Sequence, residues 1–167
     1  TIALTHDIGR FQQFIKYGTF DDSISVNHAQ LGISIIRETD IFKDIVDGTT
    51  KMLIETAIMN HNVRKTDPQL NGRTLLFTQL IRDADKVDIW NLLTLRDVVF
   101  KILEPKQTDS EYAVPDAILT CFRQGRLVPA AVSMNDYRLL RLSWIYDMNF
   151  PATFALILKH DYVSKIL

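Results

Sequence analysis

The chain has 167 residues, enough for one domain with its own core. Hydrophobic residues make up 47% and charged residues 23%, a globular composition, and a formal net charge of -1 provides no field to attract a nucleic-acid polymer or an acidic membrane surface. The lone cysteine, Cys121, excludes an intrachain disulfide framework and a multi-cysteine zinc site, and no apolar run is long enough to span a bilayer or reads as a signal peptide, so a reducing, cytoplasmic location is expected.

Apolar spacing is helical almost throughout, with 6 Gly and 5 Pro as sparse breakers. The first helix is expected over Ile2 to Tyr17, with Ile8, Phe11, Phe14 and Ile15 on its buried face. Thr1 to Thr5 has no initiator methionine and reads as the interior of an apolar helix, so further residues are expected upstream. Gly18 to Asp22 ends this helix, and a second runs from about Ser25, its expected N-cap, to Glu38, burying Leu31, Ile35 and Ile36. A short helix is expected over Ile41 to Val46, and another from about Thr49 to Asn60 with Met52, Leu53, Ala57 and Ile58 inward.

Asn62 to Arg73 carries the turn signals Asp67-Pro68 and Asn71-Gly72 and reads as a polar loop. A long helix follows from Thr74 to about Leu103, kinked or broken midway, with Leu76, Leu80, Ala84, Val87 and Trp90 on its buried face. Glu104 to Ala113 is loop. Pro115 suits the start of a helix to Arg123, ended by Gly125, and two more helices are expected over Asn135 to Met148 and Pro151 to Ile166. The fold class is all-α, an irregular helical bundle, read as a single domain over 1–167.

Four histidines stand out: His6, His28, His61 and His160. Three lie near helix ends or on helix faces, and Asp83-Ala84-Asp85-Lys86-Val87-Asp88 places carboxylates in an otherwise apolar helix. Asp85 adjoins the buried face, where a carboxylate needs a compensating charge or several donors. A metal ion supplies one, and imidazole with carboxylate suits zinc, iron, manganese or nickel. On one helix His6 and Asp7 are about 100° apart, so they share an ion only if it sits between them or if Asp7 bridges two. His28 and His61 supply nitrogen donors for a second ion. A single histidine is more often a surface or hydrogen-bonded residue than a ligand, and Asp85 alone could pair with Arg82. Asp83 and Asp88 read as solvated or supporting groups. His160-Asp161, among charged neighbours near the end, reads as surface.

Leu4-Thr5-His6-Asp7-Ile8-Gly9-Arg10 resembles the signature of the HD-domain superfamily of metal-dependent phosphohydrolases, and Asp83-Ala84-Asp85-Lys86-Val87-Asp88 resembles its closing Asp motif. The likeness covers Thr1 to about Leu103, and Asn27 to Gly32 resembles the segment carrying the first of two extra histidines in the branch with two metals. The resemblance implies an HD-type bundle, a bacterial member with Arg after the motif, and the ligand set His6, Asp7, His28, His61 and Asp85. It implies one or two divalent ions among Fe, Mn, Zn, Ni and Mg. It also implies a further histidine upstream of His6, which this sequence lacks.

The activity it implies is phosphohydrolysis of a nucleotide or other small phosphorylated metabolite by metal-activated water. Asp7 would hold the nucleophile, and Arg10 and Lys86 would meet phosphate. The alternative for Arg10 is an exposed helix cation, and for Lys86 a salt bridge to Asp83. Two other functions compete: a di-iron oxygenase of the same superfamily, separated by metal identity, and a non-enzymatic regulatory or interaction module. The helices from Pro115 onward carry no chemical signature; Trp144, Tyr146, Phe150 and Phe154 read as core, and these helices serve as cover, as a limit on substrate size or as a homodimer face.

Overall fold

Breakers and caps set the element boundaries, and every element is helical in the computed structural model, which describes residues 1–94 and 113–167. The expected all-α architecture is therefore what the described residues show. The continuation of the long helix toward Leu103, and all but the last residue of the loop from Glu104 to Ala113, lie outside them. The chain divides into two compact units, residues 1–82 and 83–167. Among the described residues no helix is long and apolar enough to cross a membrane.

The first unit contains α1 (Ile2–Thr5), α2 (Ile8–Tyr17), α3 (His28–Thr39), α4 (Gly48–Met59) and the start of α5 (Gly72–Leu93). The single helix expected over Ile2 to Tyr17 is in fact two. His6 closes α1, and Asp7 leaves the helical region at φ -103, ψ 13. Aspartate competes with the backbone for hydrogen bonds and favours such a break over a helix interior.

The expected buried face of α2 is also corrected. Phe11 is 74% and Ile15 83% exposed, while Gly9 and Gln13 are buried one turn apart. The cause is a backbone-to-backbone crossing with α3. A Cβ on Gly9 would stand 2.1 Å from the His28 carbonyl oxygen and 2.7 Å from the Gly32 nitrogen. Only glycine permits that approach, so the crossing rather than side-chain hydrophobicity decides which face turns inward.

Asn27, not Ser25, caps α3, its side chain accepting from the Gln30 backbone N–H. The helix expected over Ile41 to Val46 is a series of turns, begun by Asp40 at φ 47 and continued by Asp44 at φ 59. It still buries Phe42, which joins Ile33, Ile36, Ile54 and Ile58 in the core of this unit. Asp47 caps α4 through the Thr50 N–H; Ala57 and Ile58 face inward as expected, whereas Met52 is exposed. Leu76 and Leu80 of α5 are exposed too, and Thr78, Ile81 and Arg82 are buried instead. The apolar stripe misled here because α5 turns Arg82 inward, where it finds backbone carbonyl partners, and buries Thr78 on the same face.

The second unit takes up α5 from Asp83 and adds α6 (Asp116–Arg123), α7 (Met134–Leu142), a 3₁₀ turn (Ser143–Asp147), α8 (Pro151–His160) and α9 (Tyr162–Ile166). α6 matches its expected span, with Gly125 beyond it at φ 66. A capping box between Ser133 and Asp136 starts α7. The two long helices expected at the end each divide, the second at Asp161 with φ 51. Trp90, Leu93, Leu142, Ile157, Tyr162 and Ile166 form the core, and Trp144 packs against it half-buried. Tyr146 and Phe154, expected as core, are 44% and 37% exposed.

Candidate metal centre

Four of the five expected ligands meet at helix ends of the first unit. His6 caps the C-terminus of α1, Asp7 precedes α2, His28 opens α3 and His61 follows α4 by two residues. Ligands at helix ends can converge from different elements without any helix bending around the site.

Each imidazole is oriented through Nδ1. His6 Nδ1 lies 3.0 Å from the Ala3 carbonyl oxygen, and His61 Nδ1 lies 2.6 Å from that of Ile58. His28 Nδ1 lies 2.7 Å from Asp22 Oδ2. These partners only accept, so each ring donates from Nδ1 and directs a lone pair from Nε2. The three Nε2 atoms surround Asp7. His28 Nε2 lies 3.2 Å and His61 Nε2 3.5 Å from Asp7 Oδ1, His6 Nε2 lies 3.8 Å from Asp7 Oδ2, and the Nε2 atoms of His28 and His61 are 3.0 Å apart.

Bonds of about 2.1 Å at tetrahedral or octahedral angles separate neighbouring donors by about 3.0–3.4 Å, the spacing seen around Asp7 Oδ1. Donor atoms of His6, Asp7 and His61 all fall within 4.8 Å of one another. Asp7 Oδ1 is buried and receives no well-formed hydrogen bond. Asp7 also gives up the N-cap bond its position offers, for its side chain does not cap α2. Lone pairs and a carboxylate aimed at one another repel unless positive charge lies among them. A proton neutralises one such contact, whereas a divalent ion neutralises them all. The donor set therefore fits a metal ion.

Protonation follows the same geometry. Burial opposes the charge on Asp7, but contacts from His28 and His61 and the charges of His6 and Arg10 hold its carboxyl far below the usual carboxylate range. Burial likewise opposes a charge on His28, yet the carboxylates of Asp22 and Asp7 raise it above the ordinary histidine value. The Asp7 side chain is 44% exposed, so the cluster opens to solvent on the Asp7 side.

Sequence reasoning missed several supporting residues. Asp22, read only as part of a helix break, accepts from His28 Nδ1, Arg10 Nη1 at 3.1 Å, Gln13 Nε2 at 2.8 Å and Asn62 Nδ2 at 3.1 Å. Fully buried Gln13 also donates to Ser25 and to the Val26 carbonyl. Buried Arg82 donates to the carbonyls of Asn60, His61 and Val63, fixing the backbone that carries His61. The only trace of Asp22 in the sequence is a carboxylate in the short connection before a histidine-bearing helix.

The remaining expected residues are placed as follows. Arg10 lies 3.7 Å from Asp7 Oδ1 and is anchored by Asp22, Gln13 and the Phe20 carbonyl. Asp85 is half-buried on α5 in the second unit. Lys86, expected to meet phosphate, is buried in that unit and pairs with Asp147. Asp83, expected to be solvated or supporting, is buried and accepts from the Asn149 backbone and side chain, the Phe150 N–H and the Thr153 hydroxyl, closing the start of α8. His160 is exposed, stacked on Tyr162, as expected. Comparison with protein-family models, with curated proteins and with solved structures finds no match to this chain.

Proposed function

We propose that this chain is a metal-dependent phosphohydrolase of the HD-domain type, acting on a nucleotide or another small phosphorylated metabolite. The observation that carries the reading is the convergence of the Nε2 atoms of His6, His28 and His61 on Asp7, with every Nδ1 held by an acceptor. His6, Asp7, His28 and His61 would hold one or two divalent ions. A bound ion of this kind lowers the pKa of its water toward about 7 and offsets charge on phosphoryl oxygens.

The protein's own residues supply orientation and charge. Asp7, ionised across the physiological range and partly exposed, presents a carboxylate that can hold an ion and accept a hydrogen bond from an attacking water, orienting it. Arg10 lies next to it, anchored on Asp22, where a cation can meet an anionic substrate. The resemblance adds Asp85 to the ligand set, and Asp85→Ala tests that assignment separately.

The experiment is metal analysis of the purified protein, paired with phosphate release from a panel of nucleotides and sugar phosphates, for the wild type and Asp7→Ala. Bound metal and phosphate release in the wild type, both lost in Asp7→Ala, support the reading. Bound metal without phosphate release from any substrate overturns the phosphohydrolase assignment. Iron with substrate-dependent oxygen uptake would instead identify an oxygenase.

A further inference from the structure

Asp22 lies too far along the chain from the His-Asp pair to be recognised with it, yet it is the carboxylate on which the inner side of the cluster depends. Both oxygens face His28 Nδ1, Oδ2 at 2.7 Å and Oδ1 at 2.9 Å; Oδ1 also accepts from Arg10 Nη1 at 3.1 Å and Gln13 Nε2 at 2.8 Å, and Oδ2 from Asn62 Nδ2 at 3.1 Å. A carboxylate can only accept, so His28 must carry its proton on Nδ1 and keep the Nε2 lone pair directed at Asp7 and His61.

From this arrangement we infer that Asp22 is a positioning residue for the metal site: it sets the tautomer and ring orientation of His28, and Arg10 and Gln13 set the orientation of Asp22 in turn. The inference rests on the metal-site reading above. Partners of this kind commonly govern metal affinity about 10–100-fold.

Replacing one of these oxygens makes the test sharp. In Asp22→Asn the amide oxygen stays where Arg10 and Gln13 both donate and leaves Nδ1 a neutral acceptor at 2.9 Å, while the amide nitrogen takes the place of the oxygen at 2.7 Å. That nitrogen donates, so it opposes a proton on Nδ1 and shifts the ring toward Nε2–H, the form that withholds the lone pair needed for coordination. An almost isosteric change thus moves the tautomer balance, an effect that loss of packing does not produce.

The experiment has two readouts on the wild type, Asp22→Asn and Asp22→Ala, with thermal melts to verify folding. The first is ¹⁵N NMR of the His28 ring in the metal-free proteins above the histidine titration range; the second is calorimetric affinity for Mn²⁺ and Zn²⁺. The expected result is Nδ1–H in the wild type, an increased share of Nε2–H in Asp22→Asn, and ion affinity reduced about 10–100-fold in both variants. An unchanged tautomer in Asp22→Asn, or ion affinity in both variants within twofold of the wild type, overturns the inference while leaving the metal site standing. A wild type that binds neither ion overturns both, and it is told apart because the parent protein itself fails.

Discussion

The Nε2 atoms of His28 and His61 face each other at 3.0 Å, although 33 residues separate them and each ring already uses its Nδ1 on another acceptor. Neither has a hydrogen to offer the other in its neutral form, so the pair requires a cation. The first expectation is that Mn²⁺ or Zn²⁺ stabilises the protein, by about 2.7 kcal/mol at one hundred times the dissociation constant. His28→Ala and His61→Ala each weaken ion binding by roughly a hundredfold or more, since a lost ligand exceeds a lost supporting contact. Calorimetry with the two ions measures this, and unaltered affinity in both variants would falsify it.

Protonation of His28 gives this stabilisation a definite pH dependence. Its value is raised on folding, so its contribution to the metal-free protein is full below the ordinary value of about 6.5 and is lost as the pH rises through the higher folded value. A metal ion binds the neutral ring and gains over the same interval. Melting temperatures with and without Zn²⁺ should therefore diverge as the pH rises from about 6 to about 8. A difference that stays constant or narrows contradicts this coupling.

Gly9 is where α2 meets the backbone of α3, and Gly9→Ala puts a methyl group 2.1 Å from the His28 carbonyl oxygen. Backbone must move, because no flexible side chain is there to give way. A loss of about 3 kcal/mol or more is expected, at the upper end of overpacking, together with weakened ion binding because His28 is displaced. Urea unfolding and calorimetry report the two effects.

In the second unit, Asp83→Ala removes the acceptor of two backbone N–H groups, an amide and a hydroxyl at the start of α8. Leaving such donors buried and unpaired costs about 1–3 kcal/mol, and a lower urea midpoint with an unchanged slope is the expected signature. By contrast Asp88→Ala, an exposed position on the same helix, should change stability by less than about 0.5 kcal/mol.

Much of this molecule is legible in its residue order. Period and breakers determine the helical class and place α3, α4 and α6 to within a few residues. The His6-Asp7 pair and the two histidines that follow are conspicuous because imidazole is rare in this chain. The inward faces of α2 and α5 were not legible, because apolar spacing points to Phe11, Phe14, Leu76 and Leu80, none of which is buried. A sequence shows hydrophobicity, but not that a glycine crossing turns α2 by its backbone or that Arg82 and Asp83 satisfy themselves inside.

What the sequence by itself determined is local: helical segments, and a small set of residues able to bind a cation. What only the tertiary structure decided is direction. Which nitrogen of each ring is held and which is left to point at Asp7 depends on Ala3, Asp22 and Ile58. The Asp22–His28 contact in particular depends on how a loop closes across six residues and on the donors that pin it. Hydrogen-bond direction is a property of atoms in space, and no spacing along the chain encodes it.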